Sequence, residues 1–180
     1  MASATHGSDV SERSSGAPDA RSVPTLELLA RSDVDALGGW YARGTVPRLA
    51  DLDGSPRGRM LTLVGPLGRP PAFDPLRRFA RSRVFPWAGK SFSSSSDERG
   101  RGINRVRVLG DLFAFETHVA PSAVDARPCL FLDYDLPDNP WFIRRIHDEL
   151  RQISPGLFLG PAMWKTKRAP RLVLYFAIAT

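Results

Sequence analysis

Apolar residues cluster most clearly between Pro128 and Trp164, and the chain is read outward from there. Cys129 to Tyr134 is a short apolar run between Pro128 and the turn-rich DLPDN, the pattern of a strand buried on at least one face. Asn139 is a good helix cap and Pro140 suits a first helical position. Phe142, Ile146, Leu150 and Ile153 then recur at helical spacing, which predicts an amphipathic helix over about 140–153. On its far side Arg144 with Asp148, and Arg145 with Glu149, stand four apart and could pair. Pro155 and Gly156 would end it.

Strand signals surround this segment. Met60–Val64 and Lys90–Ser93 are candidates, the second entering a serine-rich loop over 94–102. Asn104–Leu109 and Leu112–Val119 read as a hairpin about Gly110-Asp111. Leu157–Trp164 and Arg171–Ala179 form a last hairpin around KTKRAP. Near the start, Leu26, Leu28 and Leu29, then Val34, Leu37, Trp40 and Tyr41, suggest short helices, with Ser32 as the second cap. Asp74-Pro75 opens another, ending near Arg83. Before Val23 almost nothing is apolar, so residues 1–23 are expected to be a disordered tail. Residues 24–180 then form one domain. It is mainly β: an antiparallel barrel of about eight strands with two or three short helices, a size that leaves room for one small ligand.

Composition narrows the function classes. One cysteine, Cys129, excludes an internal disulfide. No segment is apolar enough for export or membrane insertion, so the expected setting is cytoplasmic. The formal charge is +6, but the basic residues are nearly all arginine, scattered and mixed with acids. No aromatic-basic module accompanies them, which argues against nucleic acid as the main partner. Gly89-Lys90-Ser91 is not a phosphate loop, because Val84 stands where the motif needs glycine. Asp51-x-Asp53-Gly54 lacks the later acidic ligands of a calcium loop. With no cysteine–histidine cluster at zinc spacing, no metal or cofactor is expected.

Two motifs carry a resemblance. Gly38-Gly39-Trp40-Tyr41 resembles the G-x-W opening of lipocalins, where the tryptophan plugs the closed end of the barrel. Leu132-Asp133-Tyr134-Asp135 resembles their Thr-Asp-Tyr block, with leucine in place of the threonine. More broadly, FPWAGKSF, GINR, LDYDLPDNPWFIR and SPGLFLGPAMW look like a family of uncharacterised bacterial proteins with a lipocalin-like, calycin-type barrel, over roughly residues 45–180. The resemblance implies a barrel and a pocket, and no activity.

The first functional reading is therefore a binding protein for a small, largely apolar molecule. An isomerase or cyclase of a hydrophobic metabolite in the same cavity is the alternative, and a basic nucleic-acid module the third. Trp87, Lys90, Asn104, Arg107, Ala114, Tyr134, Trp164 and Tyr175 are the expected ligand-binding residues. For an enzyme, Glu116, His118 and Asp133 would be the acid–base groups. Alternation puts Glu116 and His118 on one face with Leu112 and Ala114, and Phe113, Phe115 and Val119 on the other. Either the aromatic face is the core, or the Glu116 face lines the lumen and the 142–153 helix covers the aromatics from outside. The second arrangement is the expectation here, because that helix needs an apolar partner.

Overall fold

A computed structural model describes residues 23–63 and 87–180. The expected tail before Val23 and the helix expected near residues 76–83 lie outside the described residues. Eight strands run in chain order around a closed antiparallel barrel: β1 Arg57–Leu63, β2 Trp87–Ser94, β3 Arg99–Val106, β4 Gly110–Pro121, β5 Pro128–Asp133, β6 Ile146–Ser154, β7 Leu157–Trp164 and β8 Arg171–Ala179. Each strand pairs with its chain neighbour, and β1 closes on β8 from Arg57↔Ala179 to Leu63↔Leu174. The expected serine-rich loop shrinks to residues 95–98, because β2 and β3 continue pairing as far as Ser94↔Gly100. No helix among the described residues is long and apolar enough to cross a membrane.

The helix expected over 140–153 is a strand. A single 3-10 turn, Ile143–Arg145, follows Pro140, and Ile146 is already extended. From there β6 pairs with β5 (Leu130↔Leu150) and with β7 (Arg151↔Leu159). Residues four apart share a face in a strand as well as in a helix, so Ile146 and Leu150 fit both patterns. The barrel decides between them, because without β6 the backbone groups of β5 and β7 would lack partners. Asn139 does not cap a helix. Its Nδ2 donates instead to the carbonyls of Ala114 (2.7 Å) and Tyr134 (2.9 Å). The expected pairs across the helix are absent too: Arg144 bonds Asp135 at 2.6 Å and Asp148 bonds Lys90 at 2.9 Å.

Among the described residues, two α-helices sit outside the barrel. In α1, Leu26–Arg31, the first turn is capped by Thr25, whose hydroxyl accepts from the Leu28 amide at 3.2 Å. In α2, Val34–Arg43, the cap is Asp33 rather than Ser32; its carboxylate accepts from the Ala36 amide at 2.8 Å. Leu29, Leu37, Trp40 and Tyr41 pack on the outward residues Leu157, Leu159, Tyr175 and Ala177. Trp40 thus lies against the outer wall, not in the end of the barrel as the lipocalin motif implies. Leu49 and Leu52, on a 3-10 turn, close that end instead. They join Phe92, Phe115, Leu130, Leu150, Phe158 and Ile178 in the interior. Each buried leucine contributes roughly 1.5–3 kcal/mol.

A polar cluster fixes α2 to the wall. Glu149 is fully buried and accepts from Tyr41 Oη (2.6 Å), Ser122 Oγ (2.5 Å), the Ala123 amide (2.7 Å) and His147 Nε2 (2.8 Å). Arg151 is also fully buried and grips Asp125 with two bonds of 2.7 and 2.8 Å. It donates further to the carbonyls of Arg127 (2.9 Å), Pro128 (3.0 Å) and Tyr41 (3.3 Å), with its guanidinium over the Tyr41 ring. Charges on both faces of β6 are what made it look like a surface helix. Burial, aided by Glu149, pushes the nearby Cys129 thiol up to about 12, so it stays protonated at neutral pH.

Candidate functional site

One end of the barrel carries the β3–β4, β5–β6 and β7–β8 connections. A cavity of about 350 Å³ lies there. Its walls are largely apolar: Met60, Val106, Phe113, Ile146, Leu174 and Phe176 are among them. Among the described residues, four polar side chains also line it, Lys90, Asn104, Tyr134 and Asp148, together with the indole of Trp87.

These polar groups form one network. Lys90, on β2, is almost completely buried. Its Nζ donates to Asn104 Oδ1 (2.9 Å), to Asp148 Oδ2 (2.9 Å) and to Tyr134 Oη. Asn104, on β3, accepts from Trp87 Nε1 as well (3.1 Å). Its Nδ2 donates to Tyr134 Oη (3.2 Å) and to the Phe113 carbonyl (3.1 Å). That carbonyl is turned inward by a β-bulge, where the β3–β4 register slips between Ile103 and Asn104 and Phe113 takes φ 61°. Tyr134, just past β5, donates to Asp148 Oδ2 at 3.1 Å. Four aromatic rings, Trp87, Phe115, Tyr134 and Phe176, lie 5.1–5.6 Å from the ammonium.

Burial pushes the Lys90 amine down from its ordinary range, and the Asp148 carboxylate beside it pushes back. Burial also drives the Tyr134 phenol well up, and the charge of Asp148 adds to this. The phenol therefore stays protonated and can serve as donor to Asp148. One atom of the network is unsatisfied: Asp148 Oδ1 is buried with no hydrogen-bond partner among the described residues.

Of the residues expected from sequence to bind a ligand, Trp87, Lys90, Asn104 and Tyr134 line this cavity. The other four do not. Arg107 is exposed in the β3–β4 turn, and Ala114 lies on the outward face of β4. Trp164 is half-buried near the end of β7, with the Arg145 guanidinium over its ring. Tyr175 faces outward and is buried beneath the helices.

The acid–base set is outside as well. Glu116 is exposed and stands opposite Asp133 across β4–β5. His118 packs edge-on against Phe131, with ring centroids 5.2 Å apart. Asp133 bonds Lys165 at 3.2 Å. The lumen receives Phe113 and Phe115 instead. The reversal follows from β6: with no helix to cover them outside, the aromatics of β4 are the core.

Asp148 is the polar residue that sequence reasoning missed. Read as a strand, 146–154 would have put it on one face with Ile146 and Leu150. Among the described residues, no group of three or more His, Cys, Asp or Glu side chains is placed to hold a metal ion.

No family model matches the chain, and no curated protein matches it. Among solved structures the chain is similar to a protein from Thermomonospora curvata, with 14% identity over 82% of this chain and 87% of that one, at a TM-score of 0.48. That likeness adds nothing to the barrel described above.

Proposed function

We propose that this barrel binds a small, largely apolar molecule in this cavity, with one polar end of the ligand at the Lys90–Asn104–Tyr134–Asp148 network. The supporting observation is the composition of the cavity: apolar walls around one compact polar cluster. Binding sites for small molecules have this make-up, with hydrophobic walls for affinity and a few placed polar groups for orientation. The volume, about 350 Å³, is at the lower end of the ~300–1,000 Å³ usual for such sites. A compact ligand is implied. The acid–base chemistry considered for Glu116, His118 and Asp133 forms no part of the proposal, since those groups face away from the cavity.

Native mass spectrometry of freshly purified protein tests the proposal. The expected result is a co-purified small molecule that denaturation releases. Ala162 also lines the cavity, and a phenylalanine there would fill it. The Ala162→Phe protein should fold, give an unchanged far-UV circular dichroism spectrum and lose the bound species. A molecule retained at full occupancy by a folded Ala162→Phe protein would place the binding site elsewhere.

A further inference from the structure

We propose that the ligand of this cavity carries a hydrogen-bond donor, a hydroxyl on an otherwise apolar and uncharged skeleton, and that Asp148 Oδ1 accepts from it. The inference rests on the cavity being a binding site and specifies what that site takes.

It follows from counting donors and acceptors in the network. A lysine ammonium has three N–H groups, and here all three are used, on Asn104, Tyr134 and Asp148. The Asn104 amide has two, and both are used, on Phe113 and Tyr134. The Tyr134 hydroxyl gives its one proton to Asp148, and the Trp87 indole gives its one to Asn104. No donor of the cluster is left for a ligand. On the acceptor side, Asn104 Oδ1 receives two bonds, as do Tyr134 Oη and Asp148 Oδ2. Asp148 Oδ1 receives none among the described residues.

A buried carboxylate oxygen without a partner is costly, and a ligand donor would remove that cost. Among the described residues, a ligand carboxylate or carbonyl would find no free N–H or O–H in this cluster. Charge points the same way. Lys90 and Asp148 already neutralise each other, so an anionic ligand would face an uncompensated carboxylate oxygen in an apolar site.

Three naphthalenes of one skeleton test this: 2-naphthol, 2-methoxynaphthalene and 2-naphthoate, titrated into the protein by calorimetry. The naphthol should bind at least tenfold tighter than the methoxy compound, whose oxygen only accepts, and the naphthoate should bind weakest. Asp148→Asn sharpens the test. Its side-chain oxygen must stay on Lys90 and Tyr134, which turns the amide nitrogen to the position of Oδ1. A donor then stands where an acceptor was; it can bond the oxygen of the naphthol or of the ether alike, so the preference for 2-naphthol should be lost. Equal binding of naphthol and ether by the natural protein, or tightest binding of naphthoate, overturns the donor requirement and leaves the binding cavity standing. If none of the three binds, both readings fall. The series on the natural protein decides the matter even if Asp148→Asn fails to fold.

Discussion

Replacing Lys90 with methionine should lower the stability of the barrel by about 3–5 kcal/mol, the usual cost of removing one partner from a buried ion pair. The reason lies in what remains. Among the described residues, Asp148 Oδ2 would keep only the Tyr134 hydroxyl, and Oδ1 already has nothing. A carboxylate so placed must stay charged in an apolar cavity or take up a proton. Asp148→Leu alone should be as harmful, since it strands the ammonium. The double variant Lys90→Met/Asp148→Leu should recover most of the loss, because a buried pair replaced by apolar groups of similar volume is often neutral. Urea unfolding followed by circular dichroism measures all three. The two single losses simply adding in the double variant would show that the pair is not coupled.

The second large effect is expected on the outer wall. Glu149→Ala leaves the Ser122 hydroxyl and the Ala123 amide without their acceptor, and the Tyr41 hydroxyl with only Ser122 Oγ at 3.3 Å. Each stranded buried donor costs about 1–3 kcal/mol, so a total of about 2–6 kcal/mol follows. The near-ultraviolet signal of Trp40 should weaken at the same time, since Tyr41 carries α2 and Trp40 with it. This cluster also sets an acid limit. Burial alone would push the Glu149 carboxyl up, but the bonds from His147, Ser122, Tyr41 and the Ala123 amide outweigh it and hold the group below its ordinary value. The bonds from Arg151 likewise hold Asp125 low. A carboxyl depressed in the folded state binds fewer protons there than in the unfolded chain. Its contribution is therefore complete above the ordinary carboxyl range and is lost as pH falls through the depressed folded value. The melting temperature should fall with acidification below that range, and less steeply in Glu149→Ala. An identical acid slope in that variant would locate the titrating groups elsewhere.

Much of the barrel is legible in the sequence, and β6 shows where legibility stops. The hairpins around Gly110 and around 165–170 announce themselves through alternation and turn residues, both local signals. The charged residues of β6 find most of their partners far away in the chain: Asp148 in Lys90, Glu149 in Tyr41, Arg151 in the carbonyl of Tyr41. Local pattern cannot register such partners, so the segment reads as a solvated helix face. The candidate site inherits the same division. Lys90, Asn104 and Tyr134 lie in stretches whose extended character is visible, Trp87 stands just before one, and the sequence reading includes all four. Asp148 is invisible until β6 is a strand. Glu116 and His118 were drawn inward only by the need to give that absent helix a partner. The tryptophan of the Gly-x-Trp motif is a different case: its position on α2 is legible, but which side of the barrel α2 covers is not.

The order of the strands also bears on rates. Seven of the eight pairings join strands adjacent in the chain, while β1 meets β8 from opposite ends of it. The entropy of closing the longest loop therefore falls on one seam. A meander from β2 to β8 can assemble from near-neighbour contacts, and the fastening of β1 along β8 completes the ring. Met60 and Leu174, two walls of the cavity, lie on those last two strands to meet. If that closure comes last, it finishes the cavity, and the transition state before it has no complete site to offer. A bound molecule would then act on one side of the kinetics alone. It would hold the ring shut and slow its opening, while the rate at which the chain folds stayed as it is without ligand.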